Sequence, residues 1–253
     1  MKIPVTVVTV KNIVSFIVFS LFTTAIAAQL SIEDSIFYQK GVNNAVVQYH
    51  KSLGDQSRLY NGIQYAGYAS TFKDGGHPFF YTSSLSNGSI VYDNVLYPDV
   101  QLLYDEVKDV IVFQDVTHRI QLHSERVSRF TILNNNFIRI EKDSSSQSII
   151  STGFYHVLYE GNMSILKREV KTIDEDIRSM VAGVVRLIKV KTYYYIKKDG
   201  VYFTIKKEKD VLNVFKDHEK DIQQFIKSYQ LNFKNDGDNM LTKVATYYDQ
   251  LTK

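Results

Sequence analysis

The chain has 253 residues, a formal net charge of +3 and no cysteine. Without cysteine there are no disulfides, thiolate-bound zinc ions or iron–sulfur clusters, so the fold depends on its core for stability. The nearly balanced charge and the lack of a nucleic-acid-binding motif exclude nucleic acid as an expected partner.

The first residues are typical of a secretory signal peptide. Lys2 and Lys11 precede an uncharged apolar run from Ile13 to Ala28, with small residues at Ala25 and Ala27. This layout predicts cleavage after residue 27. An uncleaved membrane anchor is the alternative, but the run is shorter than the ~20 residues that a spanning helix needs. We therefore expect residues 1–27 to be removed and no later segment to span a membrane.

The apolar residues that follow change their period twice. Residues 28–58 predict a helical or irregular segment, because the helical spacing there is imperfect. A period of two in residues 59–205 predicts an antiparallel β domain of roughly ten strands. A period near 3.6 in residues 206–253 predicts about three helices, the last capped by Asp236 or Asp238. Strands followed by helices indicate an α+β fold, a large antiparallel, meander-type sheet with the helices packed on it.

Turn residues divide the β segment into hairpins. From Gly88 to Phe113 the sequence predicts four strands, SIVY, VLY, VQLLYD and VIVF, with turns at Asp93-Asn94 and at EVKD. Asn134 to Asn136 and Asp199-Gly200 predict two further hairpins. The polar run from Lys171 to Met180 is predicted to interrupt the strands as a connection or a short helix.

Tyrosine is the main hint of a binding surface. The chain has 18 tyrosines and no tryptophan, and tyrosine suits positions that are buried at one end and wet at the other. Tyr193 and Tyr195 are predicted on one face of a strand and Tyr194 on the other. Core packing is the favoured interpretation. The alternative is a ligand groove lined by Tyr92, Tyr104, Tyr193 and Tyr195.

The segment DGGHPFF is the one catalytic candidate that the sequence offers. In it His77 could act as a base, with Asp74 to orient it. An ordinary loop is the favoured interpretation. Adjacent carboxylates such as Asp105 with Glu106 are interpreted as solvated turn residues. The six histidines lack the spacing of a zinc site, and no nucleotide-binding or nucleophile motif is present, so we expect no metal, no cofactor and no enzyme.

Basic residues outnumber acidic ones between residues 160 and 209. A solvated strand face is the favoured interpretation, and contact with anionic lipid or polysaccharide is the alternative. The basic residues in question are Lys167, Arg168, Lys171, Arg186, Lys189, Lys191, Lys197 and Lys198.

Several blocks of the chain resemble a family of uncharacterised exported proteins of the Bacteroidota. They include LYNG, GHPFF, GSIVYDNVLYPDVQLLYD, TGFYHVLYEG, YYIKKDGVYFTIKKEKDVLNVF and YYDQL, in that order from about Leu59 to the C-terminus. The resemblance implies a periplasmic or envelope-associated protein of a Gram-negative bacterium. It implies no active site, because the family has no established activity.

Together these patterns predict a non-enzymatic envelope protein whose sheet binds a protein, glycan or lipid partner. A lipid or other small-molecule carrier with a curved sheet is one alternative. A hydrolase that uses His77 is the other.

Overall fold

The computed structural model describes residues 58–68, 72–114, 118–142, 149–176 and 185–252, with scattered positions between 37 and 52. The chain forms two compact units, Met1–Asp55 and Gln56–Lys253. The described positions of the first unit are helical. The predicted signal peptide lies outside the described residues.

In the second unit, eleven strands of the described residues form one antiparallel sheet. They are β1 (Ile63–Gln64), β2 (Ser86–Tyr92), β3 (Val95–Asp105), β4 (Val110–Gln114), β5 (Arg119–Gln121), β6 (Val127–Ile132), β7 (Asn135–Ile140), β8 (Gly153–Glu160), β9 (Ser164–Asp176), β10 (Val185–Lys198) and β11 (Val201–Ile205). Their order across the sheet is β1-β5-β4-β3-β2-β6-β7-β8-β9-β10-β11. Two meanders therefore meet where β2 pairs with β6.

Helices follow the sheet: α1 (Glu208–Val214), α2 (Glu219–Ser228) and α3 (Gly237–Leu251). The carboxylate of Asp236 accepts a hydrogen bond from the backbone N–H of Asn239 at 3.1 Å and caps α3, as predicted. The apolar stripes of the helices pack on Ile165 of β9 and Ile196 of β10. The predicted α+β fold, a large antiparallel sheet with C-terminal helices, is confirmed.

The stretch from Gly88 to Phe113 contains three strands, not four. Asp93 and Asn94 form the predicted turn, both in the left-handed region with φ of +50° and +63°. The segments VLY and VQLLYD are one strand, β3. It continues past proline because Pro98 and Asp99 together oppose a single residue of β2 in a bulge, where no ladder hydrogen bond is lost.

Two other local predictions were wrong. The turn between β6 and β7 is Leu133-Asn134, and Asn135 already belongs to β7. Residues 171–176 do not interrupt the sheet but extend β9. Two of their charges are paired across the strands, since Asp174 and Glu175 of β9 form ion pairs with Lys189 and Arg186 of β10. Residues 177–180 lie outside the described residues.

The sheet curls until the end of β3 approaches β9. The backbone N–H of Lys171 donates to the carbonyl of Glu106 at 3.3 Å. The segment from residue 77 to residue 80 lies along β3, since the Phe80 N–H donates to the Tyr104 carbonyl and the Glu106 N–H to the Pro78 carbonyl, each at 2.9 Å. One side of the sheet thus becomes the inside of the curl.

Aromatic rings fill the inside of this curl. Phe130 stacks on Phe137 with ring centroids 4.6 Å apart. Tyr104 and Phe154 meet these rings edge to face, and Phe80 closes the group at 5.0 Å from Phe137. We call these five residues the ring core. Its rings are almost completely buried, so it supplies much of the apolar burial of the β domain.

Candidate functional site

Charged side chains interrupt the apolar inner face along β9. Lys167, Glu169 and Lys171 occupy alternate positions of this strand, so they share a face. Glu106, in the turn after β3, reaches the same face and lies with its Oε2 3.0 Å from the Lys171 Nζ. Asp238, in the first turn of α3, approaches from the helices. We call these five residues the polar tract.

Lys167 is the centre of the tract. Its Nζ lies 3.0 Å from Glu169 Oε1 and 2.9 Å from Asp238 Oδ2. The hydroxyl of Tyr194 donates to Asp238 Oδ1 at 2.7 Å, so Asp238 ties α3 to β9 and β10. Burial disfavours the charged form of Lys167, but the hydrogen bonds to Asp238 and Glu169 outweigh this and raise its pKa. Lys167 is therefore a fixed positive charge.

Glu106 is the most deeply buried acid of the tract, with 3% of its side chain exposed. Burial raises the pKa of Glu106 to about 7, although the nearby Lys171 opposes the shift. Lys171 is shared, because its Nζ also donates to the carbonyls of His77 and Phe79, at 3.3 and 2.5 Å. The Glu106 carboxyl consequently gains and loses its proton near neutral pH.

Two spaces meet at Lys167. One is a cavity of about 10 Å³ inside the curl, which is room for a single water molecule. It is lined by Phe80, Tyr104, Glu106, Phe137, Phe154, His156, Lys167 and Glu169. The other is an open cleft of about 810 Å³. It is lined by Lys167, Thr192, Tyr194, Lys206, Lys207, Glu208, Asn232, Phe233, Lys234, Asn235, Asp236, Gly237 and Asp238.

Three lysines lie at the rim of the cleft. Lys206 and Lys207 lie in the connection from β11 to α1, and Lys234 lies in the loop before α3. Among the described residues, none of these three lysines has an ion-pair partner. Two of the cleft's carboxylates are already engaged, since Asp236 caps α3 and Asp238 holds Lys167. The rim lysines are thus free to meet an anion from solvent.

The wall of the cleft combines aromatic surface with small polar groups. The rings of Tyr194 and Phe233 meet edge to face with centroids 5.4 Å apart. Thr192 and Asn232 add a hydroxyl and an amide to the same lining. This mixture suits a ligand that has flat apolar faces, hydroxyl groups and negative charge.

The predicted ligand-binding tyrosines lie mainly in the core. Tyr92 and Tyr104 have 0% and 2% of their surface exposed, and Tyr195 has 7%. Tyr193 is 39% exposed. Tyr194, on the opposite face of β10, is the tyrosine that lines the cleft. The alternation of residues along the strand predicted that Tyr194 lies on the opposite face from Tyr193 and Tyr195. It did not predict which of the two faces lines a cleft.

The loop candidates Asp74 and His77 are not brought together. Asp74 lies in an exposed turn with φ of +56°, and no hydrogen bond joins it to His77 among the described residues. His77 contributes its backbone carbonyl to the hydrogen bonds of Lys171. Burial and the charge of Lys171 lower the pKa of the His77 ring.

The interpretation of Asp105 and Glu106 as solvated was wrong, because both are buried, at 0% and 4% exposure. The hydroxyls of Tyr65 and Tyr68 each donate to Asp105 Oδ2 at 2.8 Å. Asp105 also accepts the backbone N–H of Val107 at 2.9 Å. These partners replace water around the carboxylate. Tyr65 and Tyr68 are too far from Asp105 in sequence for these hydrogen bonds to be predicted.

The predicted basic strand face is largely neutralised. Lys167 and Lys171 face the inside of the curl. Others are ion-paired: Arg168 with Asp109, Arg186 with Glu175, Lys189 with Asp174 and Lys198 with Asp217. The lysines of the cleft rim are different residues, Lys206 and Lys207 between β11 and α1 and Lys234 before α3.

Comparison of the chain with known protein families, with curated proteins and with solved structures finds no match. The resemblance to exported proteins of the Bacteroidota therefore stays a prediction. In the described ranges no group of three histidine, aspartate or glutamate side chains is placed to hold a metal ion. Nor does any helix in the described part of the chain have the length and apolar character to cross a membrane.

Proposed function

We propose that this protein is an exported, non-enzymatic binding protein that holds a small anionic ligand, such as a short acidic oligosaccharide, in the cleft. The observation that carries the proposal is an open cleft of about 810 Å³, on which three lysines converge that have no ion-pair partner in the part of the chain that the structure describes. Sites for small molecules usually measure roughly 300–1,000 Å³. The cleft is thus large enough for a ligand of two or three sugar units.

The chemistry of the lining supports an acidic sugar. Lysine ammonium groups form charge-assisted hydrogen bonds to carboxylates. The rings of Tyr194 and Phe233 offer apolar surface to the flat face of a sugar ring. Thr192 and Asn232 can exchange hydrogen bonds with hydroxyl groups.

The two alternative functions have less support. A carrier needs an apolar concavity for an acyl chain, whereas rings fill the inside of the curl and leave about 10 Å³. A hydrolase acting through His77 needs a partner that orients the imidazole, and Asp74 does not contact it. Both its size and its lining favour the cleft beside Lys167 as the ligand-binding site.

The test is a calorimetric titration of the protein at pH 6 with trigalacturonate, with the neutral trisaccharide galactotriose as the comparison ligand. We expect trigalacturonate to bind and galactotriose to bind at least about tenfold more weakly, because a hydrogen bond to a charged group contributes ~1.5–3 kcal/mol. Equal binding of the two sugars would contradict a site selected for anions.

Two matched variants locate the binding. The rim variant carries Lys206→Gln, Lys207→Gln and Lys234→Gln. The control variant removes the same charge from exposed positions of the helical segment, with Lys216→Gln, Lys220→Gln and Lys227→Gln. We expect the rim variant to lose at least about tenfold in affinity and the control to match the wild type. Equal losses of affinity in both variants would mean that binding depends on the net charge of the protein and not on the cleft.

A further inference from the structure

The polar tract contains one acid more than it can neutralise. Three carboxyl groups, those of Glu106, Glu169 and Asp238, share two ammonium groups, those of Lys167 and Lys171. An unbalanced charge away from water is costly. The tract is therefore neutral only when one of its carboxyl groups carries a proton.

Glu106 is the carboxyl group that takes this proton. Its side chain is 3% exposed, against 23% for Glu169 and 36% for Asp238. Water stabilises the other two charges, while Glu106 faces the cavity inside the curl. The pKa of about 7 for Glu106 agrees with this assignment.

The other groups around Glu106 do not supply the missing positive charge. The titratable and charged groups that face it are Tyr104, His156, Lys167, Glu169 and Lys171, and the charge of Lys171 also acts on the ring of His77. Burial and neighbouring lysines lower the pKa of His77 and of His156, so both rings favour the neutral form. The hydroxyl of Tyr104 donates to Asp109 at 2.7 Å, so it is occupied elsewhere.

We propose that anion binding in the cleft is coupled to protonation of Glu106, so that the ligand binds together with a proton. This inference rests on the proposed function. Lys167 lines both the cleft and the inner cavity, so a ligand carboxylate beside it adds negative charge to a tract that already has an excess. Protonation of Glu106 offsets that charge. Because linkage is reciprocal, the proton strengthens anion binding by the same factor.

The experiment titrates the wild type with trigalacturonate between pH 6 and pH 8.5. The probe stays ionised throughout, since carboxylic acids titrate near pH 4. We expect the affinity to fall about fivefold or more as the pH rises, a typical size for coupled sites. Calorimetry at pH 7 in two buffers of different ionisation enthalpy should detect proton uptake on binding.

The decisive variant is Glu106→Gln, which mimics the protonated acid and does not line the cleft. We expect it to bind trigalacturonate at every pH as the wild type does at pH 6, without proton uptake. An unchanged pH dependence in the variant, or a wild type that binds equally at all pH values, would overturn the coupling and leave the binding site intact. A wild type that does not bind at pH 6 overturns the proposed function as well.

A second measurement needs no substitution at Glu106. In wild-type protein labelled with ¹³C at the glutamate carboxyls, the titration midpoint of Glu106 should move to higher pH when trigalacturonate is bound. A midpoint that stays in place with the probe bound would overturn the coupling even if Glu106→Gln failed to fold.

Discussion

The ring core and the polar tract meet inside the curl of one sheet, yet they contribute to stability in opposite ways. The ring core buries apolar surface, which stabilises the fold by ~25 cal/mol per Å². The polar tract removes charges from water, and a buried ion pair often stabilises a fold no better than apolar side chains would. Buried charges with shifted pKa values beside a cleft are typical of functional sites. We propose that the rings stabilise the fold and that the tract, through Lys167, adjusts the charge beside the cleft.

Removing a ring from the ring core should lower the stability of the fold more than any other substitution considered below. Phe137 stacks on Phe130 and is 4% exposed, so Phe137→Ala should lower the free energy of unfolding in urea by ~3–5 kcal/mol. Phe203→Ala is the control, because Phe203 is 38% exposed at the edge strand β11 and should cost no more than about 1 kcal/mol. Similar losses of unfolding free energy in the two variants would show that the ring core is no more important for stability than an exposed ring.

The second largest loss of stability should come from removing Lys171, the ion-pair partner of Glu106. Lys171→Met places an apolar side chain beside Glu106 and should cost about 2.5 kcal/mol at pH 8. The Glu106 carboxyl loses the charge that favours its ionised form and becomes protonated. The carbonyls of His77 and Phe79 lose a hydrogen-bond donor as well. Adding Glu106→Gln should restore much of this loss in the same urea measurement. A double variant that is less stable than Lys171→Met would show that Glu106 has other stabilising partners.

A smaller effect is the pH dependence of stability from Glu106. Its pKa in the folded protein is about 7, above the 4.5 of a free glutamate. The folded state therefore binds the proton more tightly, and the resulting stability is complete below pH 4.5 and is lost as the pH rises through 7. Between pH 5.5 and pH 8.5 we expect a loss of about 2 kcal/mol from this group. Glu106→Gln should remove this loss. If the unfolding free energy of the variant still fell with rising pH, another residue would be responsible.

The smallest effect on stability should come from the cleft rim. The rim variant, with Lys206→Gln, Lys207→Gln and Lys234→Gln, should unfold within about 1 kcal/mol of the wild type, because exposed substitutions rarely change stability much. The same urea measurement checks this. A loss as large as that of Phe137→Ala would mean that these lysines support the fold, and would weaken their assignment to binding.

Much of the fold was predictable because its signals are local. The change of period after Ile205 separates sheet from helices, and the Asp236 cap precedes an apolar stripe. The continuity of β3 through Pro98 was not predictable, since it depends on how β2 pairs opposite the bulge. The extension of β9 past Lys171 likewise depends on ion pairs made with β10.

The candidate site was less predictable because tertiary contacts create it. Lys167 and Asp238 are 71 residues apart in sequence and meet only when α3 packs on β9. Alternating charge at Lys167, Glu169 and Lys171 was a visible signal, but the same pattern also describes a solvated strand face. The curl of the sheet turns that face inward, and its curvature is not encoded in the alternation.

A lysine acetylation footprint with and without trigalacturonate, read by mass spectrometry, shows directly whether the anion binds in the cleft. We expect the ligand to slow acetylation of Lys206, Lys207 and Lys234, while Lys220 and Lys227, exposed on α2, react at unchanged rates. Protection confined to the rim lysines would place the anion in the cleft. Equal protection of all five lysines, or no protection at the rim while the ligand is bound, would mean that the anion does not bind in the cleft.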